Sequence, residues 1–333
     1  MNDFKDLTGQ MADAAMEPQA IQAKELVSPE QLDALLKRSD WKAWRQTIPF
    51  FGAIALAGYG LHHHWGTLWA IPLFLIQGVL LSYGYAAQHE FAHRTAFATR
   101  WLNEFWGHVI GFLTFFPYWT DRSNHLLHHR YTSIRGMDFE LQKFRVEDRP
   151  FTIVSFLKFV LALGYSLRLL SSTIQHMFGR LSPFERRFLN PEDQIKIVVE
   201  SWFYILGYAS IAGLSIYYQS WIALQVWILP MIAMKWTHQI HVLSEHYGLG
   251  KVEDIVSNTR TVYTTPINRF LVWNMCYHTA HHRFANVPFY NLRQLDRLIR
   301  KDVQHGIKGY VPLIRQIGAC AIQGRRFGYE GLM

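Results

Sequence analysis

Apolar residues along this chain fall into six runs separated by polar stretches: Ile48 to Leu61, Thr67 to Ala87, Phe105 to Trp119, Phe151 to Ile174, Ile197 to Tyr218 and Trp221 to Trp236. As a helix, about 20 apolar residues cross the hydrocarbon core of a bilayer, so the longer runs predict membrane-length helices. The turn between the first two, His62-His63-His64-Trp65-Gly66, holds no lysine or arginine, and the pair predicts a helical hairpin. Upstream, Ser28-Pro29-Glu30-Gln31 sets a capping serine, a proline at the first helical position and an acidic first turn ahead of Leu32, Leu35 and Leu36. That pattern predicts a short helix to about Arg38. Residues 1–27 lack periodicity and are expected to form a mobile tail, leaving 28–333 as one domain.

Composition sharpens the membrane reading. Of 333 residues, 50% are hydrophobic, 15% aromatic and only 17% charged, a balance far from that of an ordinary soluble domain. The formal charge of +8 resides in particular loops. Lys37, Arg38, Lys42 and Arg45 precede the first run, and Arg94, Arg100, Arg122, Arg130, Arg135, Lys143, Arg145 and Arg149 cluster further on. These read as positive-inside signals, not as a nucleic-acid surface, and they suit anionic headgroups or an acidic electron carrier as well. Cys276 and Cys320 are the only cysteines, which excludes a disulfide framework and a cysteine metal site. The first residues lack an apolar core, so no signal peptide is expected.

The candidate chemistry lies in the histidines, 17 in all. His125-Leu126-Leu127-His128-His129 and His278-Thr279-Ala280-His281-His282 share H-x-x-H-H spacing, and His89-Glu90-Phe91-Ala92-His93 adds H-x-x-x-H. Residues three and four apart lie on one helix face, so each cluster presents two or three imidazoles together. Neutral imidazole suits zinc, copper, iron and nickel, and eight clustered histidines exceed what one tetrahedral ion uses. Two metal ions are expected. The triple histidine 62–64 reads as a solvated turn, and His108, His176 and His305 as structural.

If the three clusters share a site they lie on one side of the membrane, with an even number of spans between each pair. Phe105 to Trp119 then cannot cross and must dip in and return. Of the three later runs one must fail to cross, and Phe151 to Ile174, with Lys158 and Arg168 in its interior, is the costliest to bury. Four spans follow (48–61, 67–87, 197–218 and 221–236), with both termini and a helical cap on the cytosolic side. The expected fold is an all-α integral membrane protein.

The clusters resemble the three histidine boxes of the membrane fatty acid desaturase and hydroxylase superfamily, in order and interval. Ser244-Glu245-His246-Tyr247 before the last box and Trp273-Asn274-Met275 leading into it extend the likeness, which is greatest to sphingolipid desaturases and bacterial desaturase-like hydrocarbon oxygenases. The resemblance implies a non-haem centre of two iron ions, with His89, His93, His125, His128, His129, His278, His281 and His282 as ligands and His246, or else His241, as a ninth. Glu90, Asp121, Asp138, Glu245, Asn124 and Asn274 are candidates to orient the rings. The ends of the chain are too short for the haem-binding domain that many relatives carry. Electrons are therefore expected from a separate protein, a ferredoxin or haem carrier with its reductase.

The implied reaction is oxygen-dependent oxidation of a fatty acyl, lipid or hydrocarbon chain. Desaturation is the first reading, and hydroxylation or ketone formation on the same site the alternative. Trp69, Phe74, Trp106, Phe115 and Trp119 are candidates to line the lipid path. A membrane metal carrier or haem-binding protein is the non-enzyme alternative. It requires charged residues within the spans, where only Glu200 and Lys235 occur.

Overall fold

A computed structural model describes residues 26–134, 137, 138, 140, 152–250, 254–324 and 327. Residues 1–25 of the tail expected at 1–27, and the basic residues Arg135, Lys143, Arg145 and Arg149, lie outside the described residues. Helix α1 (Pro29–Leu36) opens on a capping box, in which the Ser28 hydroxyl accepts from the Gln31 amide and the Gln31 side chain accepts from the Ser28 N–H. Helix α2 (Asp40–His63) starts well before its apolar run. Asp40 at its head accepts both the backbone N–H (3.0 Å) and the hydroxyl (2.6 Å) of Thr99, which ties α2 to the chain beyond the first histidine cluster.

Helix α3 (Ala70–His93) pairs with α2 through a turn in which Gly66 takes φ 86°. The sequence expectation ended this span at Ala87. The helix instead continues without a break through His93, because Gln88, His89, Glu90 and His93 are buried polar residues that a hydropathy pattern reads as surface. Helices α4 (Arg100–Thr114) and α5 (Tyr118–Arg130) replace the single apolar run 105–119, broken where Phe115 takes φ 58° ahead of Pro117. The run 151–174 is likewise two helices, α6 (Ile153–Leu161) and α7 (Leu163–Met177), divided by Ala162 at φ 49°.

After the short α8 (Pro183–Phe188) comes α9 (Pro191–Tyr217), capped by Asn190. A tight turn with Gln219 at φ 49° then leads through a π-helical stretch, Leu224–Ile228, into α10 (Leu229–His246). Here too the apolar run stops at Trp236 while the helix continues for ten further residues to His246. The remainder is short: α11 (Ile255–Asn258), β1 (Thr261–Tyr263), α12 (Pro266–Leu271), α13 (His278–Arg283), α14 (Phe289–Ile299), β2 (Gly306–Lys308) and α15 (Val311–Ile322). The two strands pair in parallel, Val262 opposite Ile307.

Helix α3 is the axis of the bundle, packed against α2, α4 and α10. Its approach to α10 is close enough that a Cβ on Gly78 would stand 2.3 Å from the Pro230 carbonyl oxygen, so only glycine fits there. Among the described residues, α3 and α9 are long and apolar enough to cross a membrane. Most of α9 is exposed, with Trp202, Phe203, Leu206, Leu214 and Ile216 on its surface, an apolar face that calls for lipid or protein cover.

Candidate metal centre

The nine histidines singled out in the sequence come together, in two groups. One ring nitrogen each from His89, His93, His125, His129 and His281 lies within 4.8 Å of the others, and His128, His246, His278 and His282 form a second set by the same measure. His241 stands outside both, its Nδ1 3.1 Å from the Tyr310 hydroxyl and its Nε2 3.4 Å from Glu245. Helix α3 supplies His89 and His93 one turn apart, and α10 supplies His246 as its last residue. Each H-x-x-H-H box divides between the groups. On α5 the i,i+4 pair His125 and His129 faces the five-histidine group and His128 the other; on α13 the pair His278 and His282 faces the four-histidine group and His281 the five.

Several supports hold these helices in register. The Glu200 carboxylate on α9 accepts the N–H groups of Trp119 (2.9 Å) and Thr120 (3.4 Å), capping the N-terminus of α5 from a neighbouring helix. Arg122 on α5 donates to the Ala92 carbonyl of α3. Arg260, 1% exposed, donates to the carbonyls of Ser244 (2.9 Å) and Tyr247 (3.0 Å) at the end of α10, where a cation is favoured by the helix dipole. Ahead of α13, Trp273 and Asn274 take left-handed conformations at φ 48° and 59°. That strain, of order 1–3 kcal/mol each, is offset by packing of Trp273 against Phe50, Phe91 and Phe289 and by an Asn274 amide bond to the Phe289 carbonyl.

The rings are oriented from behind. His125 Nδ1 lies 3.0 Å from Glu140, and the other oxygen of Glu140 accepts from the Tyr85 hydroxyl at 3.2 Å. His128 Nδ1 lies 3.0 Å from Asp138, His246 Nδ1 2.8 Å from the Asn258 carbonyl, and His282 Nδ1 3.3 Å from the Thr132 hydroxyl. Glu90 is 3.4 Å from His89 and Glu245 3.3 Å from His278. Of the candidates named from sequence, Asp138, Glu90 and Glu245 are thus beside box histidines. Asp121 accepts from the Gln88 amide, and Asn274 turns to Phe289. Glu140, Thr132, Asn258 and Arg260 were missed. Glu140 follows Asp138 by two residues, a faint signal; a backbone carbonyl and a cap supplied from another element leave none.

These contacts decide how the arrangement can be filled. Against the effect of burial, the Asp138 and Glu140 carboxylates push His128 up to about 9; in the neutral form that binds metal, its ring, like that of His246, keeps the Nδ1 hydrogen on the acceptor behind it and leaves Nε2 as a lone pair. Those two lone pairs face each other at 3.2 Å. His125 Nε2, bare for the same reason, faces His93 Nε2 at 2.8 Å and His129 Nε2 at 2.9 Å. Converging lone pairs repel unless a proton or a metal cation lies between them. Nitrogens about 2.1 Å from one ion stand roughly 3.0 to 3.4 Å apart at octahedral and tetrahedral angles, close to the observed spacing. Burial, reinforced by the neighbouring His89 imidazole, pushes His125 down to about 4, into the neutral form that binds metal.

An apolar cavity of 610 Å³ lies between α9 and the π-helical entrance to α10, lined by Phe115, Tyr208, Ile211, Ile216, Trp221, Leu224 and Trp227 among others. Of the five aromatic residues proposed from sequence as lining, only Phe115 borders it. Trp106 packs between Trp44 and Phe51, Trp119 carries Arg94 and Lys196 on its ring, and Trp69 is 69% exposed beside the α2–α3 turn.

Residues 63–313, which include every histidine of both groups, match the fatty acid desaturase family. The chain belongs to that family. Its members are oxidoreductases. The sphingolipid delta(4)-desaturase DES1 of Pongo abelii is 28% identical over 214 residues, covering 60% of this chain and 56% of that protein, so the alignment spans little more than half of that relative. The sn-1 oleoyl-lipid 12-desaturase of Arthrospira platensis is 22% identical over 78% of this chain and 76% of its own length. The sn-1 acyl-lipid omega-3 desaturase (ferredoxin) of Nostoc sp. (strain 36) is 22% identical over 75% of this chain and 74% of its own. The histidine groups fit the metal-dependent chemistry of such desaturases.

Proposed function

We propose that this member of the desaturase family uses two iron ions, one in each histidine group, to desaturate a fatty acyl, sphingolipid-like or hydrocarbon chain with dioxygen. The observation that carries the reading is the meeting of imidazole nitrogens from four separate helices in two adjacent groups. Bound at these histidines, two iron ions would supply the redox chemistry that lets dioxygen and donor electrons break an unactivated C–H bond. The protein's own residues fix the ions through nine imidazoles, orient those rings through Glu140, Asp138 and the Asn258 carbonyl, and exclude water by burying the histidines. Reducing equivalents come from a separate ferredoxin or haem carrier with its reductase. A ferredoxin-linked name among the relatives favours the first.

In this proposal α2, α3, α9 and α10 cross the membrane and the remaining segments form a cytosolic cap, with both termini on that side. Support comes from Trp65, Trp69, Tyr217, Tyr218 and Trp221, all exposed at the two turns farthest from the histidines. His62 and Gln225, 3.3 Å apart, bring those turns to the same end, as an interfacial aromatic belt requires. The apolar cavity above Phe115 and Trp227 suits hydrocarbon.

The test is iron analysis and product formation with purified protein, dioxygen and an electron-donor system. About two irons per chain are expected, with desaturated product lost in His128→Ala and His281→Ala. Full activity of either variant, or a metal-free active enzyme, refutes the reading.

A further inference from the structure

Two buried polar side chains in the bundle are used neither by the histidine groups nor by their supports. Lys235 and His238 lie three residues apart on α10, therefore on one face, and are 6% and 5% exposed. Among the described residues the Lys235 side chain makes no hydrogen bond and no ion pair, only its backbone carbonyl being engaged, by Ser82, and both ring nitrogens of His238 are buried without a partner. The carboxylates nearby are committed elsewhere: Glu140 to His125 and Tyr85, Glu245 beside His278 and His241. An uncompensated ammonium within a membrane bundle is costly and is a default candidate for ligand contact.

We propose that Lys235 and His238 form a polar socket for a carboxylate carried on the hydrocarbon chain, which makes a free fatty acid the preferred ligand class; this rests on the function proposed above. Both groups offer N–H donors and Lys235 adds a positive charge, which matches an anionic oxygen acceptor and mismatches an ester or an alkane. The socket is close to the histidines. The Lys235 carbonyl accepts from Ser82 at 3.5 Å, and Ser82 precedes His89 on α3 by seven residues, about 10 Å at 1.5 Å per residue. The His238 ring packs edge-on against Tyr85 at 4.7 Å, and Tyr85 donates to the carboxylate that orients His125. A carboxylate seated here would fix how far along the chain the reacting carbon lies.

The test is equilibrium binding of radiolabelled palmitate to the purified full-length protein, with palmitate, methyl palmitate and hexadecyl phosphate as competitors. Wild type is expected to favour palmitate over its methyl ester by about tenfold or more, the scale of one charge-assisted contact. Lys235→Met, which removes a buried charge and keeps the volume, is expected to abolish that preference while ester binding is unchanged, and His238→Phe to reduce it. Equal binding of acid and ester in wild type, or a preference retained in Lys235→Met, overturns the socket. Tighter binding of hexadecyl phosphate than of palmitate overturns the carboxylate assignment. Acid-selective binding without any oxidation counts against the proposed function and leaves the socket standing.

Discussion

The five-histidine and four-histidine groups are built from almost the same parts and end with different numbers of donors. Helices α5 and α13 give three imidazoles each, and each box sends a pair to one group and a single ring to the other, in opposite senses. Up to that point the groups match, with three rings apiece. Helix α3 then adds two rings to one group, because His89 and His93 are an i,i+4 pair, whereas α10 adds only the terminal His246 to the other. The side that is one imidazole short is the side where Glu245 stands 3.3 Å from His278. The lesson is that helix register, not histidine abundance, sets how many nitrogens each group receives.

The largest expected effect comes from shortening the poorer group. His246→Ala leaves it three imidazoles and should abolish product formation and cost about one metal ion per chain. The loss should exceed the roughly 10–100-fold change typical of removing an outer hydrogen-bond partner. His93→Ala leaves the richer group four rings, as many as the other group has intact, and should lose less metal than His246→Ala, as measured by metal content per chain, although product formation should fall as in His281→Ala. Equal losses of metal would erase the distinction between the groups.

Next in size are the carboxylates behind the rings. Asp138→Asn and Glu140→Gln should each weaken metal retention by roughly 10–100-fold in competition with a chelator. The first acts through His128 on the four-histidine group and the second through His125 on the five-histidine group. Two distinct spectroscopic changes are expected, one per variant. An identical change in both would show that the groups do not behave separately.

The smallest effects belong to the helix-end supports. Arg260→Met removes two donors from the carbonyls beside His246 and should lower stability by about 2–3 kcal/mol, read as a fall in melting temperature. Glu200→Gln keeps the shape of the α5 cap and loses its charge, for about 1 kcal/mol. If Arg260→Met melts like wild type, the end of α10 is held by packing instead.

Much of this site could be read in the sequence because its histidines obey helical spacing. His89 with His93 and the two H-x-x-H-H boxes announce shared faces without any knowledge of the fold. The limits of the helices could not be read in the same way. Hydropathy marks contact with lipid or core, so it stopped at Ala87 and Trp236, while α3 and α10 continue as buried polar helix to His93 and His246. The breaks at Phe115 and Ala162 are left-handed positions occupied by residues that do not favour them; Pro117 marks the first, and no local signal marks the second. The orienting contacts were legible only when they came from a nearby side chain. Asp138 stands within reach of its box in sequence, whereas the Asn258 carbonyl and the Arg260 guanidinium arrive from the far side of α10.

The divided boxes have one more consequence. Because α5 and α13 each face both ways, an ion captured by either group anchors the two helices that its neighbour also depends on. Occupancy of the first position therefore organises the second, so loading should be cooperative and partially filled molecules scarce during titration with metal.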